Sequence, residues 1–398
     1  MSEWKRCTVG DVCEVFDGPH ATPPQSNDGP IYLGIPSIRS DGSIDYENSK
    51  RISYENYPKW TKRVIPQEND VVFSYEANLE SYARIPAGFE GCLGRRMAIM
   101  RPDPSAIDAR FLYYYTQSPA WKAVIASRTV LGATVNRIPI ATFPEFPLRL
   151  PSLPAQQRIA GVLSAYDKLI ENNRKQIKLL EEAAQRLYKE WFVDLRFPGN
   201  ETTPIHNGIP EGWKRTTVGE ICELIRDSSR PDDRNESTMY IGLEHMPKNS
   251  ICLNKYGDVS SATGSKLNFR KNDILFGKIR PYFHKVGFAQ CNGVTSTDTL
   301  VMRAKPNCFG ILLEIVSSDA YVAYATATSK TGTKMPRADW NAMSAYELLE
   351  PSARVLAQFD GFVKQITDEI MNLSNQITTA REARDRLLPK LMSGEIEV

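Results

Sequence analysis

Six basic side chains, Lys266, Arg270, Lys271, Lys278, Arg280 and Lys285, stand within twenty residues against one acid, Asp273. Such a run suits a polyanion, although by itself it is most often a solvated face. Residues that would break or make bonds show no matching pattern. There is no G-x-G-x-x-G, P-loop or H-E-x-x-H. His20, His206, His245 and His284 are widely separated, and none has a motif partner. The Asn/Asp-Pro-Pro-aromatic tetrad of adenine methylases is missing, since the one Pro-Pro, Pro23-Pro24, follows Thr22. A metal-dependent nuclease of the usual type gathers its metal with Pro-Asp followed by Glu/Asp-x-Lys. The one such triplet, Glu3-Trp4-Lys5, precedes both Pro-Asp pairs. The sequence therefore carries no recognisable active site.

The chain has 398 residues, 41% of them hydrophobic and 24% charged, as in an ordinary folded protein of two or three domains. Net charge is +2, with 17 basic and 17 acidic residues in 1–150 and 18 and 17 in 197–350, so bulk charge names no partner. The seven cysteines are odd in number and lack C-x-x-C, which suggests neither a disulfide framework nor a zinc site; reduced, mostly buried thiols are expected. No apolar run approaches the ~18 residues of a membrane span and no secretory signal is visible, so the expected compartment is the cytoplasm.

The elements that must position the basic run occur twice. WKRCTVGDVCEV at 4–15 and WKRTTVGEICEL at 213–224 share eight of twelve positions, at offset 209. NDVVFS (69–74) faces NDILFG (272–277) at offset 203, and Phe111 to Ser118 faces Ile311 to Ser318 at offset 200. Each repeat is about 200 residues, the size of a domain plus a connector. Each block mixes β-rich runs (DVVFS, AIMRP, TLVMR, PEFPLRL) with a helix, which in the first block covers 108–126 and is divided at Pro119.

Both repeats end in a long amphipathic tail. Heptad spacing selects Ile159, Leu163, Tyr166, Ile170, Ile177, Leu180 and Leu187 in the first, interrupted by Asn173. In the second it selects Phe359, Val363, Ile366, Ile370, Leu373, Ile377 and Leu387, interrupted by Arg384. Matching stripes of period 3.5 bury against each other as a coiled coil, the alternative being that each packs on its own neighbouring domain. Pro389 predicts that the second helix ends or kinks near Leu388. The expected division is 1–150, a first domain; 151–196, the first long helix; 197–350, a Pro/Gly-rich linker and second domain; and 351–398, the second long helix. The fold class is α+β: two mixed α/β domains in pseudo-two-fold tandem repeat, separated by two long helices forming an antiparallel coiled coil. At ~1.5 Å per residue the helix from Ile159 to Trp191 spans ~50 Å, more than one ~34 Å turn of a DNA duplex.

Openings at WKRCTVGDV and IPEGWKRTTVGEI, the phrase NDILFGKIRPYFHKVG (272–287) and PSLPAQQRIAGVL before the first helix together resemble the specificity subunit of type I restriction-modification enzymes. The second copy departs at EPSARVLAQFD, which lacks the Pro-Leu-Pro and paired glutamines of the first. The resemblance implies two target-recognition domains reading the halves of a bipartite, asymmetric double-stranded DNA site, with the helices as a ruler for the spacer. It implies no catalysis and no cofactor in this chain. Two modification (methyltransferase) subunits carrying S-adenosylmethionine would dock on it, and restriction (translocase/nuclease) subunits using ATP and Mg would join them. DNA contact is then expected from Lys278, Arg280, Tyr282, His284 and Lys285, with Lys334 and Arg337 on a recurring Gly/Thr turn. In the first domain the expected residues are Tyr75, Arg84, Arg95 and Arg96, with Thr134 and Arg137 on the equivalent turn. The competing reading, which the near-neutral charge favours, is a duplicated coiled-coil protein-binding scaffold without sequence-specific DNA contact.

Overall fold

A computed structural model describes residues 4–39, 41–132, 135–329 and 335–398. Contacts divide the chain into two units, Met1–Leu169 with Ala380–Val398, and Ile170–Thr379. Both boundaries fall inside long helices, Leu153–Tyr188 and Ala353–Ser393, so each unit contains a β-rich block and a part of both helices.

In the first unit Cys13–Asp17, Met97–Pro102, Val71–Ser74 and Tyr82–Arg84 form an antiparallel sheet in that order. Alternation along these strands separates two cores. Val71, Phe73, Ala98 and Met100 face Phe111, Trp121, Phe143 and the long helices, while Val72, Ala83, Met97 and Ile99 face Ile31, Leu33, Ile44 and Val64. Lys5–Thr8 pairs with Pro147–Leu150 and ties the opening of the block to the strand that feeds the long helix. The aromatic segment forms two helices, Ala109–Tyr115 and Pro119–Arg128, divided at Pro119 as the sequence predicts. Asp108 and Ser118 cap them by accepting from backbone N–H groups two or three residues on.

The second unit repeats the scheme. Cys222–Ile225, Thr299–Ala304, Ile274–Gly277, Val286–Ala289 and Cys252–Leu253 make a five-stranded sheet, and Lys214–Thr217 pairs with Glu347–Glu350. One face contributes Leu275, Ala289 and Val301 to a core with Ile241 and Phe269. The other sets Phe276 and Phe288 against Tyr321 and Phe309 of the helices Asp319–Ala327 and Phe309–Val316. Gly310 is where the latter helix meets the second long helix: its N–H donates to Asp360 Oδ1 at 2.8 Å, and a Cβ there would sit 3.0 Å from that of Val363.

The apolar stripes close on each other within each unit. In the first, Ile159, Ala160 and Leu163 share a core with Leu388, Leu391 and Met392. In the second, Ile170, Asn173, Ile177 and Ala184 are buried, as are Phe359, Val363, Ile370, Leu373 and Ile377. Asn173 Nδ2 donates to Gln376 Oε1 at 3.0 Å, and the Trp191 ring packs tilted against Phe359 at 5.7 Å between centroids. Residue numbers of these partners sum to 549 and 550 (173 + 376, 191 + 359), the signature of an antiparallel pair. Tyr166, Leu180, Leu187, Ile366 and Leu387 are half-buried, and at two of these places the buried residue is the next one, Thr367 and Leu388. The second helix does not end at Leu388. It continues through Pro389 to Ser393, because Leu388, Leu391 and Met392 are buried on both sides of the proline and hold the turn in place.

The polar interruptions of the stripes behave differently in the two units. In the first, Asp167 accepts from Tyr114 Oη and from Arg384 Nη1, each at 2.5 Å. Burial and the Asp167 charge push the Tyr114 phenol up, so it remains a donor. In the second unit the residue at the place of Tyr114 is Glu314, which is fully buried, and neither of its carboxyl oxygens has a hydrogen-bond partner. Burial, reinforced by nearby Glu181, pushes Glu314 up to about 8. Glu181 itself accepts from Ser250 Oγ at 2.7 Å and Ile251 N at 2.9 Å.

Two stability predictions follow from these nodes. Arg384→Ala leaves Asp167 without its guanidinium and should cost about 1–3 kcal/mol in urea unfolding, whereas Arg386→Ala, at an exposed i,i+4 pair with Glu382, should change the midpoint little. Glu314 keeps in the native state a proton that the unfolded chain releases near its ordinary 4.5, so native stability should fall as pH rises from about 4.5 to about 8 and level off above. The slope is at most about 1.4 kcal/mol per pH unit. Glu314→Gln should match the native chain near the acid end of that window and become progressively more stable than it toward pH 8, measured by unfolding across pH; an unchanged difference at all pH values would contradict this.

Candidate nucleic-acid interface

The central strand of each sheet ends at a joint where three chain segments meet. In the first unit Val71–Ser74 runs into Tyr75, whose N–H donates to the Arg96 carbonyl at 3.1 Å and whose carbonyl accepts from Ile138 N at 2.8 Å. Ala77 N donates to Asn136 O at 3.3 Å, and Glu76 bridges to Arg137. In the second, Ile274–Gly277 runs into Lys278, whose N–H donates to Asp298 O at 2.8 Å and whose carbonyl accepts from Ala338 N at 2.9 Å. Arg280 N donates to Pro336 O at 2.9 Å, and Ile279 bridges to Arg337. Tyr75 and Lys278 are 203 apart, Arg96 and Asp298 202, and Arg137 and Arg337 200. Ala77 and Arg280, equivalent positions, both hold a left-handed φ, 67° and 50°. The backbone joint is therefore one design used twice.

Its side chains differ. In the first joint Arg96 Nε meets Glu76 at 2.7 Å, and the buried Tyr75 hydroxyl meets His20 Nδ1 at 3.3 Å. His20 and Arg63 both reach Asp17, at 3.2 and 2.8 Å. In the second the acid and base have changed segments: Arg337 meets Asp298 at 3.3 Å and keeps its side chain 59% exposed. Lys278 is half-buried, and desolvation pulls its ammonium below the ordinary value against the pull of Asp298. Each joint thus carries one exposed arginine, Arg137 or Arg337, anchored through its backbone on a framework. An arginine presented in that way offers a donor fork that matches a phosphate or the O6 and N7 of guanine.

Other expected contact residues separate into groups. Arg280 and Lys248 lie over the Phe283 ring at 5.7 and 4.5 Å, and Tyr282 sits beside Phe283 with 51% of its surface exposed. These form a cationic aromatic knob next to the second joint. His284 and Lys285 turn onto the protein itself, the first to Ser317 O at 2.7 Å and the second to Leu243 O. Arg95 is exposed beside Arg96, with its N–H on Tyr32 Oη at 2.8 Å. Arg84 does not join the cluster: it pairs opposite Val71, at the start of the strand whose end carries Tyr75, and donates to Asn69 Oδ1 at 2.7 Å. Thr134 and Lys334 lie outside the described residues. Sequence reasoning overlooked Glu76, Asp298, Lys248 and Phe283; aligning the repeats across the joint would have paired Arg96 with Asp298. Among the described residues no group of three or more His, Cys, Asp or Glu is placed to hold a metal ion, and no helix is long and apolar enough to cross a membrane.

A family model described as the type I restriction modification DNA specificity domain matches residues 1–182. The type I restriction enzyme MjaIX specificity subunit of Methanocaldococcus jannaschii is 26% identical over 308 residues, 73% of this chain and 69% of that protein. The MjaVIII specificity subunit of the same organism is 24% identical over 223 residues, 56% of this chain and 50% of the relative. Among solved structures, the S subunit of a type I restriction-modification system from M. genitalium matches with a TM-score of 0.59 at 15% identity, over 98% of this chain and 96% of that one, a likeness of fold. Residues 1–182 thus match the type I restriction modification DNA specificity domain, and the chain is similar in sequence to specificity subunits of type I restriction enzymes and in fold to a solved S subunit.

Proposed function

We propose that this chain is the DNA sequence-recognition subunit of a type I restriction-modification complex, its two repeats reading the two halves of a bipartite, asymmetric site. The observation that carries the reading is the twofold use of one backbone joint with exchanged side chains: Glu76, Arg96 and Arg137 in one, Ile279, Asp298 and Arg337 in the other. A shared framework places two reading heads alike on the duplex, and unlike side chains make the half-sites unlike. Near-neutral charge fits a subunit whose partners supply much of the phosphate contact. The long helices and repeated framework dock two modification subunits, which bring S-adenosylmethionine; restriction subunits, where present, bring ATP and Mg. This chain contributes address and scaffold and no catalysis, and works in the cytoplasm.

The test uses the chain co-purified with its modification subunits and duplexes carrying the motif that methylome sequencing maps. Specific duplex should outcompete scrambled duplex in a gel shift; equal competition would favour the scaffold reading. Arg337→Ala should lose about 1–3 kcal/mol of discrimination at one half-site and leave the other unchanged, and Arg137→Ala should do the converse. Loss of discrimination at neither half, or uniformly at both, would remove the arginines from base readout. Methyl transfer by the isolated chain would overturn the assignment of catalysis to its partners.

A further inference from the structure

A cavity of about 550 Å³ opens in the second unit beside the first long helix, with Glu181 and Gln185 on one wall, Ser250 and His284 on another, and Glu314 and Ser317 behind. Gln185 Nε2 donates to the Glu314 carbonyl and to Ser317 Oγ, both at 3.0 Å. Neither oxygen of the Glu314 carboxyl has a partner in hydrogen-bond geometry, although the nearby Gln185 amide partly offsets the cost of its burial. An acid enclosed without a donor costs several kcal/mol if charged and still wastes its hydrogen-bonding capacity if neutral.

The first unit shows the same place completed. By the repeat offset of 200, Tyr114 corresponds to Glu314, Asp167 to Thr367, and Arg384 to Ala184. There the carboxylate of Asp167 holds the Arg384 guanidinium, and the node lies beside a cavity of about 820 Å³ lined by Tyr113, Gln117, Arg384 and Asp385. In the second unit a carboxyl has been gained at the helix of the block while the guanidinium of the long helix has been lost. Neighbouring acids already have work: Glu181 accepts from Ser250 and Ile251, Glu182 faces Arg186 at 3.6 Å, and Asp319 faces His284 at 3.4 Å.

We infer that this cavity receives the guanidinium of an arginine carried by another polypeptide, with Glu314 as its carboxylate acceptor. A planar fork on a carboxylate gives two parallel charge-assisted hydrogen bonds, which a lysine would not supply; Arg384, whose Nη1 donates to Asp167, is the internal precedent for a guanidinium held by a carboxylate at this node. Entry requires the Gln185 amide to swing aside. Glu314 must lose its proton to accept the cation, so binding releases a proton to solvent and tightens as pH rises toward about 8. Lys178, Glu181, Glu182, Arg186 and Tyr188 of the long helix, His284 of the loop and Asp319 of the neighbouring helix also face the site, and a Glu314 variant separates its proton from theirs.

The inference is independent of the DNA reading and is tested without DNA. Full-length chain is titrated calorimetrically with N-acetyl-arginine amide and, as a neutral isostere, N-acetyl-citrulline amide, in buffers of different ionisation enthalpy. Saturable binding of the arginine probe alone is expected, with proton release, and with affinity lowered about tenfold or more in Glu314→Gln and in Glu314→Tyr, the latter placing there the residue of the first unit. Equal binding of the citrulline probe, undiminished affinity in both variants, or no binding to the native chain would overturn it.

Discussion

The closure of two apolar helix stripes is the constraint on which each unit depends. Ile159 and Leu163 of the first long helix and Leu388, Leu391 and Met392 of the second lie in the same core as Phe111 and Trp121 of the first block. In the second unit Phe359 sits among Trp191 and Phe192 at 5.7 and 4.7 Å, while Val363 lies under Gly310 of the block. Neither block is finished by its own repeat: the first is completed by residues 380–398, and the second by the part of the first long helix beyond residue 169. Joining distant chain segments carries a closure entropy that grows only slowly with the length enclosed, so burial of these large side chains readily offsets it.

That shared framework lets the two blocks diverge where divergence is useful. The strand-end joints keep the same backbone hydrogen bonds through Tyr75 and Lys278. Around them the ion pair moves to other segments, Glu76 with Arg96 in one and Asp298 with Arg337 in the other. The helix nodes have diverged as well, from a satisfied Tyr114–Asp167–Arg384 group to a buried and unsatisfied Glu314. Backbone pairing is insensitive to side-chain identity, which is why the joint can be conserved in geometry between repeats while its chemistry changes.

Much of this organisation was legible in the residues. Matches at three offsets expose the repeat, the division at Pro119 follows from proline's missing donor, and nine of the fourteen heptad positions singled out are buried. Those only half-buried, among them Ile366 and Leu387, sit where the stripe steps to Thr367 and Leu388, since a 3.6-residue helix drifts against a 3.5-residue template. Of the two outcomes Pro389 suggests, an end near Leu388 is not what the helix does, because the burial of its neighbours outweighs one lost backbone bond, a tertiary effect that local sequence does not carry. The candidate contact residues were legible only as a basic, aromatic phrase. Whether an arginine is exposed, like Arg137, or tied to Asn69, like Arg84, depends on strand register that composition does not encode.

If the paired helices set the distance between the two half-sites, their length should be readable in the DNA. Inserting one heptad into each helix at matched positions adds ~10 Å, about three base pairs at ~3.4 Å each. Methylome sequencing of a host expressing that variant with its modification partner should show both half-sites unchanged and a spacer longer by about that amount. The same spacer as the native chain, with methylation retained, would contradict the claim that the helix pair is the ruler.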